Sequence, residues 1–392
     1  MRRIQPNALP LRSSVPLKSS TNPRRPSGTT VLAFFTWLQG CSAAPSAARI
    51  PATVAPVAPA QSAATKPVSA TTTRPSVTAA EAPAAGSPAP EPQPPFRPPD
   101  FAPPYASTAA ETDGQWTPLG NAALGELAAK EPRVLFRTTV HPHRSSRFIS
   151  TEIVAIDLRT VKLHWVLGKK DRGAADYAKV HALGLVAKDQ RETTLAVFNG
   201  GFLAQHGRWG MMSHGITMVP PREIGCTLGT FKDGSVRIAP WTELPNVGLV
   251  SYRQAAPCLV QGNTLHGDLL NGNSRVWAGQ NAALKTRRRS AVGIDATGEV
   301  LFYAVGTETE AIDLARGILA AGASHAMQLD INWNWTRFLT AGRKNEQPRI
   351  TSTLIEDMAY GKNEYFSTSS DRDFFYLTLA GSVDATRHFP DR

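Results

Sequence analysis

The chain has 392 residues and a formal net charge of +11, enough for two average domains or for one large domain with non-globular segments. Residues 1–40 carry Arg2, Arg3, Arg12, Lys18, Arg24 and Arg25 and no acidic residue, so six of the eleven net charges sit there. The basic excess is therefore not a nucleic-acid footprint, and no nucleic-acid partner is expected.

In chain order, Val31–Leu38 form an apolar run too short to span a bilayer as a helix. Leu38-Gln39-Gly40-Cys41 follows and resembles a bacterial lipobox, in which Cys41 is acylated and becomes the mature N-terminus. Residues 1–41 are thus read as a lipoprotein-type signal segment, which implies export to a bacterial cell envelope and a membrane anchor through lipid. Residues 42–112 are Ala, Pro, Ser and Thr with few large apolar side chains, a composition that cannot offset its own ordering entropy. They are predicted to be a disordered, extended spacer.

From Trp116 onward the character changes. The runs at 133–140, 148–158, 161–167 and 193–198 are rich in β-branched and aromatic residues and predict strands; 174–189 predicts a helix. Lys232-Asp233-Gly234 and Ala296-Thr297-Gly298 each separate two such runs and predict hairpins. "TETEAIDLARGILAAG" predicts a helix, with Thr307 and Glu310 as a capping box and Gly322 as its stop, and "HAMQLD" predicts a further strand. Strands outnumber helices and often follow one another directly. The expected class is α+β, a mixed β-sheet core with flanking helices, in a single globular domain over residues 115–392. Cys226 and Cys258 are the two cysteines within it. In an oxidising envelope they can pair as a disulfide; two buried free thiols are the alternative.

Three stretches carry candidate chemistry. In "AVFNGGF" a buried strand runs into Asn199-Gly200-Gly201, where two glycines permit close approach of backbone to a ligand and their N–H groups suit an anion. In "TRRRSAVGID" three arginines precede a strand; Arg287 and Arg289 share one face and Arg288 the other. In "HAMQLDINWNWT" Asp330 ends an apolar strand. Continued alternation would place Leu329, Ile331, Trp333 and Trp335 on one face, as core. Asp330, Asn332, Asn334 and Thr336 would lie on the other, as a polar site. A sugar-stacking platform is the other reading of the two indoles. His206 and His214 flank a Gly-rich stretch and are candidate acids or bases, more readily explained as hydrogen-bonded bystanders. No HExxH, CxxC pair, P-loop, GxSxG or dinucleotide fingerprint is present.

The ordered set "FNGGF", "WGMMSHGITMVPP", "RRSAVGIDATGEVLFYAVG" and "AIDLARGILAAGASHAMQLD" resembles the phosphodiester glycosidase family over about residues 190–340. The resemblance implies a hydrolase acting on a sugar-phosphate diester or related glycan. Asn199, Gly200, Gly201, Arg289 and Asp330 match the family's site-forming motifs. Asp330 would be the catalytic carboxylate and Arg289 the phosphate clamp. Asn332, Asn334 and His206 would join Asn199 and the glycines in binding substrate. No second acid is identifiable. No ligand cluster requires a cofactor, although a divalent cation near Asp330 is chemically compatible. The family's Gly-Gly-Gly-Ser after the aspartate is replaced here by Ile331-Asn332-Trp333-Asn334. A non-catalytic lipoprotein that binds anionic glycan or cell-wall polymer through the same cleft is the alternative function.

Overall fold

The computed structural model describes residues 95–119, 133–171, 184–279, 286–345 and 347–380. The signal segment with Cys41, the spacer up to residue 94 and most of the helix expected at 174–189 lie outside the described residues.

The β-branched and aromatic runs become strands. They are β1 (Thr117–Pro118), β2 (Leu135–Val140), β3 (Thr151–Asp157), β4 (Val161–Val166), β5 (Thr194–Asn199) and β6 (Met211–Ser213). Next come β7 (Ile216–Val219), β8 (Cys226–Phe231), β9 (Val236–Pro240), β10 (Leu249–Ala255), β11 (Val260–Gln261) and β12 (Thr264–Leu265). After the short helix α1 (Gly267–Leu270) follow β13 (Arg287–Ile294), β14 (Val300–Thr309), helix α2 (Ala311–Ala320), β15 (His325–Gln328), β16 (Phe338–Lys344), β17 (Gln347–Thr353) and β18 (Phe374–Leu379). They assemble into three sheets. The first has the order β1-β2-β3-β14-β13-β15-β11-β12, the second β7-β6-β10-β8-β9, and the third β17-β16-β5-β18-β4.

Both expected hairpins form, β8–β9 and β13–β14. Every pairing between these strands is antiparallel, so the mixed sheet expected from sequence is corrected. The described chain is mostly β, with α2 as its one α-helix of more than a turn. Parallel pairing needs long crossovers; here most strands follow one another through short turns, which favours antiparallel ladders.

Alternation along the first sheet decides its two faces. Val154, Ile156, Val292, Ile294, Leu301, Tyr303 and Met327 join a core shared with the other two sheets. Ile153, Ala155, Ala291, Phe302, Ala304 and Ala326 pack instead with Leu314, Ala315 and Ile318 of α2. The first sheet is therefore covered on both faces, which explains why its strands read as near-continuous apolar runs. Cys226, at the start of β8, is bonded to Cys258, with Cα atoms 4.7 Å apart.

Other local expectations are corrected. Thr307 lies within β14, and Glu310 caps α2 with no side-chain hydrogen bond, so the capping box does not form. Gly322, at φ +108°, does follow the helix as its stop. Residues 188–193 form a 3-10 turn rather than the end of an α-helix. Residues 95–112, expected to be spacer, pack on the domain. The Phe96 ring meets Phe136 edge-on at 5.6 Å, and the Trp116 indole N–H donates to the Pro99 carbonyl at 3.0 Å. The few aromatic residues at the end of the Pro-rich segment supply the apolar surface that the rest of it lacks.

Candidate active site

The third sheet brings several strand ends to one edge. Phe374 pairs with both Asn199 and Val166, so the start of β18 lies beside the ends of β5 and β4. Phe338 pairs with Phe198, which adds the start of β16. Four segments flanking these strands therefore converge: Gly200-Gly201 after β5, Asp171 after β4, Arg372-Asp373 before β18 and Arg337 before β16. Asp330, just after β15, joins them because its backbone N–H donates to the Gly200 carbonyl at 3.2 Å.

Asn199 ties the sheets together and has no hydrogen-bonding capacity left for a substrate. Its amide nitrogen donates to the Gly200 carbonyl and to Ser290 Oγ, both at 2.9 Å. Its Oδ1 accepts from the Tyr303 hydroxyl and the Arg337 backbone N–H, also at 2.9 Å. Ser290 Oγ in turn donates to the Asp330 carbonyl at 2.9 Å. Asn199 is thus a positioning residue that sets the Asp330 backbone, which corrects its assignment as a substrate ligand.

The expected anion nest is filled from within. Gly200 N–H donates to the Asp373 carbonyl at 2.9 Å and Gly201 N–H to Asp373 Oδ2 at 3.1 Å. Both glycines are needed for close approach rather than for positive φ. A Cβ on Gly200 would lie 2.0 Å from Asp373 Oδ2, and one on Gly201 would lie 2.9 Å from Arg253 Cζ. Asp373 Oδ2 also accepts from Trp165 Nε1 at 3.1 Å and from Arg253 Nε of β10 at 2.8 Å. Arg253 and Asp373 are both completely shielded from solvent.

Asp330 is 4% exposed. Its Oδ1 accepts from the Ile331 N–H at 2.7 Å and its Oδ2 from Arg372 Nη2 at 2.5 Å. Burial pushes its carboxyl up to about 6, against the opposing pull of the Arg372 guanidinium. Asp171 accepts from the Asp373 N–H through Oδ2 at 3.2 Å. Burial, reinforced by the neighbouring Asp373, pushes it up to about 7. Three buried polar atoms of this cluster have no hydrogen-bond partner: Asp171 Oδ1, Asp373 Oδ1 and Arg372 Nε. Buried polar groups are rarely left so. Three together, beside two carboxyls raised toward neutral pH, make this cluster the candidate site.

The remaining sequence candidates are placed differently. Arg289 lies on the α2 side of β13. Its guanidinium donates to the Thr309 and Trp277 carbonyls at 3.1 and 2.8 Å and to Gln328 Oε1 at 2.8 Å. Burial lowers it to about 10. It is structural, which corrects the phosphate clamp. Strand alternation sends it to the face opposite Ser290. His206 sits in the turn beyond Gly201, with its ring 3.4 Å from the Gln205 amide, and His214 is an exposed hairpin-turn residue at φ 49°. His206 has no hydrogen bond to the carboxyl cluster. Among the described residues no group of three or more His, Cys, Asp or Glu side chains is arranged to hold a metal ion.

The opening of the 331–337 segment is not a strand. β15 ends at Gln328, and the chain turns over Asn332. Trp335 N–H and Thr336 N–H both donate to the Asn332 carbonyl at 3.0 Å, and Asn332 Oδ1 accepts from the Asn334 N–H at 2.9 Å. An Asn side chain that closes its own turn competes with ladder pairing, and here it wins. Asn332 and Asn334 are consequently exposed turn residues rather than a polar strand face. Trp333 is 45% exposed and Trp335 half-buried, so the reading of both indoles as core is also corrected. Arg337 and Arg372 flank Trp335, 5.1 and 5.2 Å from the ring centroid.

Arg372, Asp373, Asp171 and Arg253 escaped the sequence reading. Their one shared signal is charge at a strand end ("GKKDRG", "SSDRDFF") or inside an apolar strand.

The antiparallel scaffold thus gathers two buried, raised carboxyls and two arginines at its strand ends. Residues 192–330 match the family model of the phosphodiester glycosidases, which contains Asn199, Gly200, Gly201, Arg253 and Asp330. Asp171, Trp335, Arg372 and Asp373 fall outside the matched segment. No curated protein matches the chain. Among solved structures, the catalytic domain of the zebrafish N-acetylglucosamine-1-phosphodiester alpha-N-acetylglucosaminidase, auto-inhibited by its pro-peptide, is similar with a TM-score of 0.38 at 15% identity. That match covers 64% of this chain and 89% of that one. A hypothetical protein from Synechocystis is similar with a TM-score of 0.36 at 10% identity, covering 63% of this chain and 62% of that one. Likenesses this distant carry no weight for function.

Proposed function

We propose that the protein is a phosphodiester glycosidase-like hydrolase that cleaves a sugar-1-phosphodiester. The observation that carries the reading is Asp330: a buried carboxyl raised to about 6, clamped by Arg372, at the end of the family-matched segment. Water adds at the sugar C1, the C1–O bond to phosphate breaks with its electron pair, and a phosphate monoester leaves. The proton of the attacking water passes to solvent or to a neighbouring carboxylate. Asp330, as its carboxylate, stabilises the positive charge that develops at C1. Arg372, whose Nε is buried without a partner, takes the phosphate role first given to Arg289. Asp373 and Arg253 hold the Gly200-Gly201 turn and keep Arg372 beside Asp330.

The lipobox-like Leu38-Gln39-Gly40-Cys41 supports placing this activity in a bacterial envelope, on a lipid anchor at Cys41 with the Ala/Pro-rich segment as tether. The test is product analysis of an alkyl N-acetylglucosaminyl phosphodiester incubated in oxygen-18 water. Free sugar labelled at C1 together with unlabelled alkyl phosphate is the expected outcome. Label in the phosphate would mean P–O cleavage and would overturn the reading.

A further inference from the structure

The turn that replaces the family's glycines carries an indole that the hydrolytic site does not use. Trp333 is 45% exposed, the one exposed tryptophan among the described residues. Its inner face is not loose. The Arg288 guanidinium, fully buried, lies 3.9 Å from the ring centroid. Arg288 is itself fixed by an ion pair with Asp357, and its Nη1 reaches the Trp333 carbonyl at 3.5 Å. The backbone beneath is locked by the Asn332 turn. An exposed indole on an immobilised backbone, backed by a desolvated cation, loses little further freedom when a ligand stacks on its outer face.

The position is continuous with the candidate site. Two residues on, Trp335 lies against Arg372, which bonds to Asp330. Arg337 Nε donates to the Asn334 carbonyl at 3.0 Å, and its backbone N–H donates to Asn199 Oδ1. The turn and the carboxyl cluster are therefore one connected structure. At 45% exposure the indole offers on the order of 100 Å² of surface. A flat apolar face of that size with polar neighbours, Asn332 and Asn334 exposed on either side, suits a ligand that is apolar on its faces and hydroxylated around its rim. A pyranose ring has that form.

We propose that the 332–336 turn is a carbohydrate subsite, in which the outer face of Trp333 stacks on a pyranose ring of an oligosaccharide. This rests on the glycan reading of the site and adds a requirement to it: the ligand is longer than one sugar and continues away from Asp330 over Trp333. Replacing glycines by this turn exchanges close backbone approach for an aromatic platform.

The test uses the full-length protein and isothermal titration calorimetry with neutral tetrasaccharides of glucose, N-acetylglucosamine and mannose at millimolar concentration. At least one is expected to bind. Trp333→Ala is expected to weaken that binding by about tenfold, and Trp333→Phe to keep it within about threefold. Unchanged thermal unfolding of both variants would separate lost stacking from lost folding. Binding by Trp333→Ala equal to wild type would overturn the proposal, and so would an absence of binding by all three tetrasaccharides. The probes carry no phosphate, so a failure of phosphodiester cleavage leaves this result independent.

Discussion

Replacing Arg253 by methionine tests whether the buried ion pair holds the site together. Methionine keeps the length of the stem and removes three donations: Nε to Asp373 Oδ2 at 2.8 Å, Nη1 to the Gln254 carbonyl at 3.0 Å, and Nη2 to the Phe202 carbonyl. Asp373 would keep the Trp165 and Gly201 donors on Oδ2 and still have nothing on Oδ1. Both partners are completely shielded, so solvent cannot take over. Removing one partner of a buried pair costs about 3–5 kcal/mol. A domain of ordinary stability, about 5–15 kcal/mol, would lose about a fifth or more of its margin. Urea unfolding followed by tryptophan fluorescence reads this directly. The double variant Arg253→Met/Asp373→Asn removes the stranded charge and is expected to recover at least about 1 kcal/mol over the single variant. A single-variant cost below about 1 kcal/mol, or no recovery in the double variant, would refute the reasoning.

Other consequences are open to measurement. With Asp330 raised to about 6 and Asp171 to about 7, the folded protein holds protons that the unfolded chain releases near pH 4. Stability should therefore fall as pH rises from about 4 to about 7, with Asp330 contributing about 3 kcal/mol of the fall. Asp330→Asn should flatten that slope in urea unfolding, and a wild-type stability that rises over the window would contradict it. Activity, if Asp330 acts as its carboxylate, should rise through about pH 6; a fall there would reassign Asp330 as an acid. Gly200→Ala places a Cβ 2.0 Å from Asp373 Oδ2, so a loss of about 3 kcal/mol or more is expected, visible as a lowered unfolding midpoint. Opening the Cys226–Cys258 bond, which spans 32 residues, should cost about 3–4 kcal/mol and lower the melting temperature under reductant.

What the sequence disclosed follows from what is local. Hairpins around Lys232-Asp233-Gly234 and Ala296-Thr297-Gly298 are set by neighbouring residues, and both form. The juxtaposition of Asn199 with Asp330 was reachable only through the ordered family motifs, and the backbone contact between Gly200 and Asp330 bears it out. Asp373 and Asp171 were out of reach. They meet because β18 pairs between β5 and β4, a pairing that no pattern within any of the three strands encodes. The Trp333 and Trp335 reading failed for a local reason. Alternating residues fit a strand, but an Asn able to close its own turn fits a bend equally well, and with β15 already ended no neighbouring strand was there to pair with the segment.

The central claim is that Asp330 performs glycosidic cleavage. The most direct measurement compares wild type with Asp330→Asn on a panel of sugar-1-phosphodiesters, following release of the phosphate monoester. Wild type is expected to turn over at least one member and Asp330→Asn to lose about 100-fold or more in kcat while remaining folded. Equal turnover by the two proteins would contradict it.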